Sequence, residues 1–299
     1  MLDVAEFVTI NFQLKTNIMR NKNMNEPQDP QCVQTSVITI ADINKNYNEN
    51  CLDTMAKMPN NFIDLTVTSP PYDGLRTYNG YSFDFESIAK ELFRVTKDGG
   101  VVVWVVGDAT VNGSESGTSF KQALFFKEIG FNLHDTMIWN KGHFTGVGSL
   151  KVRYAPVFEY MFIFTKRNLK TFNPLKDRIN KKQTGKFLKN KRLANGNMIE
   201  VGKYGQRNKY GQRFNIWELA NTDRSKHPAI FPEQLINDHI ISWTNEGDVV
   251  YDPFMGSGTT AKMSIINNRN WIGSEMSSEY CEIIQNRITN INGLFENHS

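Results

Sequence analysis

From Val37 onward, segments with the apolar pattern of a buried strand alternate with segments whose apolar residues recur at helical spacing. Residues 101–106 form an almost continuous run of β-branched side chains, which is typical of a central parallel strand. An apolar stripe at helical spacing precedes this run and consists of Ile88, Leu92 and Val95. Asp84 can cap the start of that helix, and Gly99 follows its end. The pattern therefore predicts a helix that leads into a buried strand.

The same alternation continues along the rest of the chain. Further strands are predicted at residues 62–68, 136–139, 160–165, 248–251 and 271–273. Further helices are predicted over residues 120–129, 232–246, for about eight residues after Gly258, and around Cys281, Ile284 and Ile288. Strands that alternate with helices predict an α/β fold with a mainly parallel, doubly wound sheet.

Charge is distributed very unevenly along the chain. Residues 166–213 contain fifteen lysines and arginines but only two acids, within a protein whose net charge is +3. One basic segment on an otherwise acidic body indicates a polyanionic partner, although a solvated, disordered insertion would have a similar composition. The predicted parts are an N-terminal extension at 1–36, a first α/β part at 37–165, a basic insertion at 166–226 and a second α/β part at 227–299.

Several protein classes are disfavoured by composition. The longest strongly apolar run, residues 101–106, is far shorter than the roughly 20 residues that span a membrane. Residues 1–20 lack a basic start followed by an apolar stretch, so no secretory signal is predicted. Cys32, Cys51 and Cys281 are widely separated, which predicts neither a disulfide framework nor a metal cluster. We expect a cytoplasmic protein with no membrane partner and no metal.

A glycine-rich turn follows the strand predicted at 248–251. Gly256 and Gly258 permit a tight turn, and the helix that starts after Gly258 offers unpaired N–H groups to a carboxylate or phosphate. Glu275 ends the next strand, where its carboxylate can accept hydrogen bonds from ribose hydroxyls. No lysine follows the glycines, which excludes a P-loop, whereas the G-x-G-x-x-A spacing leaves a nicotinamide dinucleotide site open.

A second turn, Ser69-Pro70-Pro71-Tyr72, follows the strand predicted at 62–68. The two prolines stiffen this turn and remove N–H donors, so it presents acceptors: the Ser69 hydroxyl and the Pro70 carbonyl. Tyr72 adds a flat aromatic surface. Two acceptors beside a stacking surface suit a planar base that carries an amino group.

Together, the two turns resemble those of the β group of DNA amino-methyltransferases. In that group an SPPY or DPPY motif precedes the target-recognition region, and the FxGxG cofactor motif lies near the C-terminus. Here residues 68–72 come first and 252–260 last, and the resemblance extends over about 37–287. It implies a Rossmann-like methyltransferase fold, S-adenosylmethionine as cofactor, and transfer of a methyl group to a base amino group in double-stranded DNA.

The resemblance also implies roles for individual residues. The catalytic turn would comprise Ser69, Pro70, Pro71 and Tyr72. Phe254 would pack on the cofactor adenine and Glu275 would hold its ribose. The remaining cofactor-binding positions would be Asn50, Cys51, His227, Asp252, Gly256, Ser257, Gly258 and Thr259. Asn50 departs from the family pattern, in which an aspartate often stands at this place.

The target atom depends on the first residue of the catalytic turn. Serine, as at Ser69, is commoner among the family's cytosine-N4 enzymes, and aspartate among its adenine-N6 enzymes. We therefore expect cytosine N4, with adenine N6 as the alternative. Methylation at cytosine C5 needs a nucleophilic cysteine, usually after a proline, and none of the three cysteines follows one.

The basic insertion occupies the place of the family's target-recognition region. The residues expected to contact DNA are Lys181, Lys182, Lys186, Arg207 and Arg213. A cognate restriction endonuclease and a homodimer are the other expected partners. The alternatives are an RNA or protein amide methyltransferase, a catalytically silent nucleic-acid binder and a nicotinamide-dependent oxidoreductase.

Overall fold

A computed structural model of the chain has a central eight-stranded sheet. The structure describes residues 37–71, 83–142, 151–181, 185–206, 208–220 and 232–296, and the predicted extension at 1–36 lies outside them. The sheet strands are β1 (Lys45–Tyr47), β2 (Ile63–Thr68), β3 (Thr96–Val106), β6 (Asn132–Asn140), β7 (Phe158–Thr165), β12 (Ile216–Glu218), β13 (Val249–Asp252) and β14 (Asn270–Ser274). Peripheral strands are β4 (Thr110–Val111), β5 (Ser114–Glu115), β8 (Arg178–Ile179), β9 (Lys186–Arg192), β10 (Met198–Gln206) and β11 (Tyr210–Gly211).

The order across the sheet is β1-β14-β13-β2-β3-β7-β6-β12. Every neighbouring pair is parallel except the two that involve β7, so β7 alone runs against the other strands. Both β3 and β13 are buried along their apolar residues, as expected for strands covered on two faces. The predicted mainly parallel α/β sheet is confirmed.

Helices cover both faces of this sheet. The helices are α1 (Cys51–Lys57), α2 (Phe85–Val95), α3 (Thr118–Glu128), α4 (Glu233–Trp243), α5 (Thr259–Ile266) and α6 (Ser278–Glu296). α1, α2 and α3 pack against one face around Trp104 and Phe126, whereas α4 and part of α5 pack against the other around Val103 and Val250. α6 packs on α5 through Ile284. Helices on both faces make the sheet doubly wound, as predicted.

The helix before β3 begins where the sequence predicts. The Asp84 carboxylate accepts a hydrogen bond from the Ser87 N–H at 3.2 Å and caps α2. β3 begins at Thr96, earlier than the predicted residue 101. The added residues include Gly99, whose φ of +82° lets its N–H and carbonyl bond to Lys166 and Lys170. The helix therefore ends at Val95, and the glycines that were predicted to follow it lie within β3.

The basic insertion contains more regular structure than its sequence suggested. β9 and β10 form an antiparallel hairpin, β8 pairs with β11, and β12 joins the edge of the central sheet. The hairpin escaped prediction because the described residues 190–201 are exposed on both of its faces, which leaves no alternation of apolar and polar positions. Among the described residues, none of the helices is long and apolar enough to cross a membrane.

Candidate active site

The two predicted functional turns lie at the topological switch point of the sheet, where successive strands are added on opposite sides. From β13 the chain proceeds through α5 to β14 on one side, whereas from β2 it proceeds through α2 to β3 on the other side. β13 and β2 are adjacent and parallel, with Val250 opposite Leu65. Ligands in open parallel sheets bind at the carboxyl ends of such strands. The sequence-predicted glycine turn and serine–proline turn therefore leave neighbouring strands at this edge.

A buried carboxylate joins the two turns. Asp252, at the end of β13, accepts hydrogen bonds from the Thr68 hydroxyl at 2.7 Å and the Thr260 hydroxyl at 2.6 Å. It also accepts from the Phe254 N–H at 3.0 Å. Burial raises the pKa of Asp252, although all three donors favour its charged form. The contacts of Asp252 thus join the two turns, and its predicted role in binding the cofactor stays a prediction.

The glycine turn depends on conformations that other residues adopt poorly. Gly256 and Gly258 have φ values of +53° and +82°. A Cβ on Gly258 would lie 3.1 Å from a side-chain carbon of Ile284, so the turn is closely packed against α6. Among the described residues, a Cβ on Gly256 would meet only the Phe254 carbonyl, at 3.9 Å, so this part of the structure leaves open space above Gly256. The turn thus leaves room for a ligand at Gly256, next to the N-terminus of α5.

Glu275 lies just beyond β14 and faces the same turn. Its carboxylate accepts from the Gly256 N–H at 2.9 Å and from the Ser277 N–H at 2.8 Å. Burial raises the pKa of Glu275, and these backbone donors oppose the rise. The remaining acceptor capacity of the carboxylate is close to the open space at Gly256. The glycine turn and Glu275 together fit the predicted carboxylate and ribose of S-adenosylmethionine.

An aromatic wall stands beside the glycine turn. Phe254 is half-buried, and its ring meets that of Phe83 edge-on with centroids 5.8 Å apart. The Trp104 ring, from β3, lies 6.5 Å from Phe254. The two neighbouring rings stand edge-on to Phe254 and support it, and the half-buried Phe254 ring offers an apolar face that suits a purine ring.

Asn50 and Cys51 lie at the start of α1. The Asn50 side chain caps this helix by accepting from the Leu52 N–H at 2.9 Å. Cys51 is buried, and burial raises the pKa of its thiol to about 12. The thiol therefore stays protonated at neutral pH, which disfavours a nucleophilic role and agrees with the exclusion of C5 methylation.

The catalytic turn is described only as far as Pro71. Ser69 and Pro71 are half-buried and Pro70 is buried. Tyr72, and the predicted cofactor residue His227, lie outside the described residues. The register of β2 against β3, with Thr68 opposite Trp104, places the turn next to the aromatic wall.

An ion-pair cluster that the sequence analysis missed holds the glycine turn. Arg287 on α6 donates to the Ser257 carbonyl at 3.0 Å and to the Thr259 hydroxyl at 3.3 Å. Its other amino group pairs with Glu233 at 2.5 Å, and Glu233 also pairs with Lys262 at 2.7 Å. These partners are far apart in sequence, by 54 residues for Arg287 and Glu233, so no local motif reveals the cluster.

The residues predicted to contact DNA have different surroundings. Lys181 is exposed, and Lys186 lies on β9, where its side chain is not described. Lys182 and Arg207 lie outside the described residues. Arg213, however, donates to Asp177 at 3.0 Å and to Asp238 at 2.6 Å. These ion pairs give Arg213 a structural role in the insertion, and its predicted DNA contact stays a prediction.

Arg213 belongs to the base that anchors the insertion on α4. Its guanidinium also stacks over the ring of Trp217, 5.0 Å from the ring centroid. Trp217 in turn stacks on His239 at 4.5 Å, and burial lowers the pKa of His239 to about 3. The histidine is therefore neutral at physiological pH and adds no second positive charge beside Arg213, whose charge is balanced in the described residues by the two aspartates.

Known proteins are similar to this chain in sequence and in fold. A family model described as DNA methylase, for N6 and N4 methyltransferases, matches residues 63–286. The chain is 57% identical over 238 residues to the orphan methyltransferase M.BamHII of Bacillus amyloliquefaciens, covering 76% of this chain and 89% of that protein. It is 29% identical over 255 residues to the type II methyltransferase M.BglII of Bacillus subtilis, covering 81% of this chain and 68% of that protein.

Solved structures with the same fold are also methyltransferases. The PvuII DNA methyltransferase, named as cytosine-N4-specific, superposes with a TM-score of 0.60 at 22% identity, covering 81% of this chain and 85% of that chain. The M1.HpyAVI–SAM complex gives a TM-score of 0.56 at 21% identity, covering 81% and 98%. The Rossmann-like methyltransferase fold is thus confirmed, as are the predicted enzyme class, cofactor and DNA substrate, and the oxidoreductase alternative is wrong. Because the family model matches most of the chain, the protein belongs to the DNA methylase family of N6 and N4 amino-methyltransferases, which use S-adenosylmethionine as methyl donor.

Proposed function

We propose that this enzyme methylates the N4 amino group of a cytosine that has been turned out of double-stranded DNA. The hydrogen bond between Thr68 and Asp252 carries the proposal, because it fixes the serine–proline turn beside the glycine turn. Serine at the first position of the catalytic turn favours cytosine over adenine. The PvuII enzyme, which is named as cytosine-N4-specific, has the same fold.

The cofactor supplies an electrophilic methyl group on a positively charged sulfur. Gly256 and Ser257 to Thr259 would hold its methionine part at the start of α5, and Phe254 would pack on the adenine. Glu275 would accept hydrogen bonds from the ribose hydroxyls. We assign supporting roles at the same pocket to Asn50, Cys51 and His227.

The chain's own contribution is to position and polarise the target nitrogen. An exocyclic amino group is a poor nucleophile because its lone pair is delocalised into the ring. The Ser69 hydroxyl and the Pro70 carbonyl would each accept one of its N–H bonds and favour a pyramidal nitrogen. The lone pair then points toward the methyl donor, and Tyr72 would stack on the base. One proton leaves the nitrogen after transfer, and no covalent enzyme intermediate is needed.

DNA would approach from the side of the basic insertion. Lys181, Lys182, Lys186 and Arg207 are the proposed phosphate contacts, since each is a lysine or arginine of that segment. Two relatives, M.BglII and M.HpaI, are named type II methyltransferases, and M.BamHII is named an orphan. We propose a cognate restriction endonuclease as a partner, on the names of the two type II relatives. The alternative, that the enzyme acts without an endonuclease, is supported by the name of M.BamHII. The homodimer also remains a proposal.

Mass spectrometry of nucleosides tests the function directly. Plasmid DNA from a methylation-deficient host is incubated with the enzyme and S-adenosylmethionine, then digested. N4-methylcytosine is the expected product, and it should be lost in Ser69→Ala while cofactor affinity by calorimetry is largely kept. N6-methyladenine would refute the choice of base, and the absence of either product with wild-type enzyme would refute the proposed function.

A further inference from the structure

The hairpin of β9 and β10 has a defined closed end. Leu193 and Asn197 face each other, with a backbone hydrogen bond of 2.8 Å from the Leu193 N–H to the Asn197 carbonyl. Between them are Ala194, Asn195 and Gly196, and Gly196 has a φ of +86°. A three-residue loop with glycine in the left-handed region is a favoured hairpin connection. The sequence therefore specifies the turn locally, and with it the pairing of the two strands.

The distal part of this hairpin is exposed to solvent in the described chain. All residues from 190 to 201 are exposed, and they include Met198, Ile199 and Val201 with exposed fractions of 59%, 43% and 47%. A two-stranded hairpin with no buried face is only marginally stable in water. A projecting ribbon of this kind is therefore suited to a surface that covers it.

Charge identifies the chemistry of that surface. Residues 186–206 contain five basic residues and one acid, Glu200. A net charge of +4 on a ribbon two strands wide matches the phosphates that line a nucleic-acid groove. The major groove of duplex DNA is wide enough to admit such a ribbon.

The strand register separates the hairpin side chains into two sets. Arg192 lies opposite Met198 and Asn190 opposite Glu200, so these four residues share one face. Lys191 lies opposite Ile199 on the other face. The first face carries amide, guanidinium and carboxylate groups, the types that read adenine, guanine and cytosine edges respectively. The second face carries the point charge of a lysine, which suits a phosphate.

The base of the hairpin is fixed to the enzyme body. Next to it, β8 pairs with β11, and Arg178 on β8 stacks over Phe214 at 4.3 Å and donates to the Gln212 carbonyl. Arg213 then joins this base to α4 through Asp238 at 2.6 Å. A bulge between Glu200 and Tyr204, where three residues of β10 oppose one of β9, adds twist to the ribbon.

We propose that the β9–β10 hairpin enters the major groove, with the face of Asn190, Arg192 and Glu200 reading base edges and Lys191 contacting phosphate. The inference rests on the proposed methylation of duplex DNA and names the element that selects the site. It also explains why this ribbon is exposed on both faces, since a groove contacts both.

Single substitutions separate the two faces. Arg192→Ala is expected to lower methylation of the preferred site about tenfold or more and to relax the preference at one base position. Lys191→Ala is expected to weaken binding to all duplexes alike and to reduce the log–log salt slope of DNA affinity by about 0.9. Lys127→Ala, at an exposed lysine of α3, is the matched control and should change neither property.

Sites are mapped by sequencing methylated plasmid DNA, and affinities are measured on a duplex at several salt concentrations. Asn190→Ala is a second test of the base-reading face. All four variants should keep wild-type melting temperatures and cofactor affinities, because the replaced side chains are exposed and the 3.3 Å bond from Arg192 to the Gly196 carbonyl lies in solvent. The inference is refuted if Arg192→Ala and Asn190→Ala keep wild-type rates and the same base preference. That result, with active wild-type enzyme, would leave the proposed function intact, whereas inactive wild-type enzyme would refute the proposed function itself.

Discussion

The hydrogen bond from Thr68 to Asp252 should stabilise both the fold and the site. Thr68→Val removes the hydroxyl and keeps the shape, so the buried Asp252 carboxylate loses one of its three donors. Hydrogen bonds to charged groups contribute about 1.5–3 kcal/mol, and the unfolding free energy should fall by about that amount. At about 2–4 °C per kcal/mol, the melting temperature should drop by several degrees.

Thr66 on the same strand provides a matched control. Its hydroxyl is buried and has no hydrogen-bond partner among the described residues. Thr66→Val therefore removes an unpaired polar atom and should leave stability unchanged or raise it. The two substitutions are chemically identical and two residues apart, so their difference isolates the bond to Asp252.

The stability deficit of Thr68→Val should also depend on pH, in a direction that can be checked. Loss of a donor to the charged form raises the pKa of Asp252 further above its already raised folded value. The deficit of Thr68→Val should therefore be largest at high pH and shrink as pH falls through the folded pKa of the variant. Thermal melts of both variants across pH measure it. Equal losses in the two variants, or a deficit that grows on acidification, would show that the Asp252 bond has been misjudged.

The other predictions concern the cofactor pocket. Gly258→Asp should abolish cofactor binding in calorimetry, because a side chain at φ +82° meets Ile284 and its charge repels a carboxylate; near-normal affinity would contradict the placement of the turn. Arg287→Ala should raise the KM for S-adenosylmethionine several-fold with a smaller change in kcat, and Arg287→Lys should keep part of the wild-type affinity. A lower melting temperature with an unchanged KM would show that Arg287 has a purely structural role. Because burial raises the pKa of Glu275, cofactor affinity should weaken on acidification at a higher pH than for an ordinary glutamate, and Glu275→Gln should remove that step.

The sequence determined the elements whose signals are local. The β-branched run at 101–106, the Asp84 cap and the glycines of the cofactor turn each act within a few residues, and each appears in the structure where expected. The order of the two motifs was enough to indicate one sheet and one family. The hairpin of the insertion left no such signal, since neither of its faces is buried in the described residues.

Only the tertiary structure decided which side chains support the site. The sequence predicts Asp252 as a cofactor residue, and its bond to Thr68, 184 residues away, also makes it a link between the two turns. The sequence predicts Arg213 as a DNA contact, and folding adds ion pairs from its guanidinium to Asp177 and Asp238. Arg287 carries no motif and still holds the glycine turn. In each case the role depends on a partner that folding brings close, because hydrogen bonds and ion pairs act over a few ångströms of space regardless of separation along the chain.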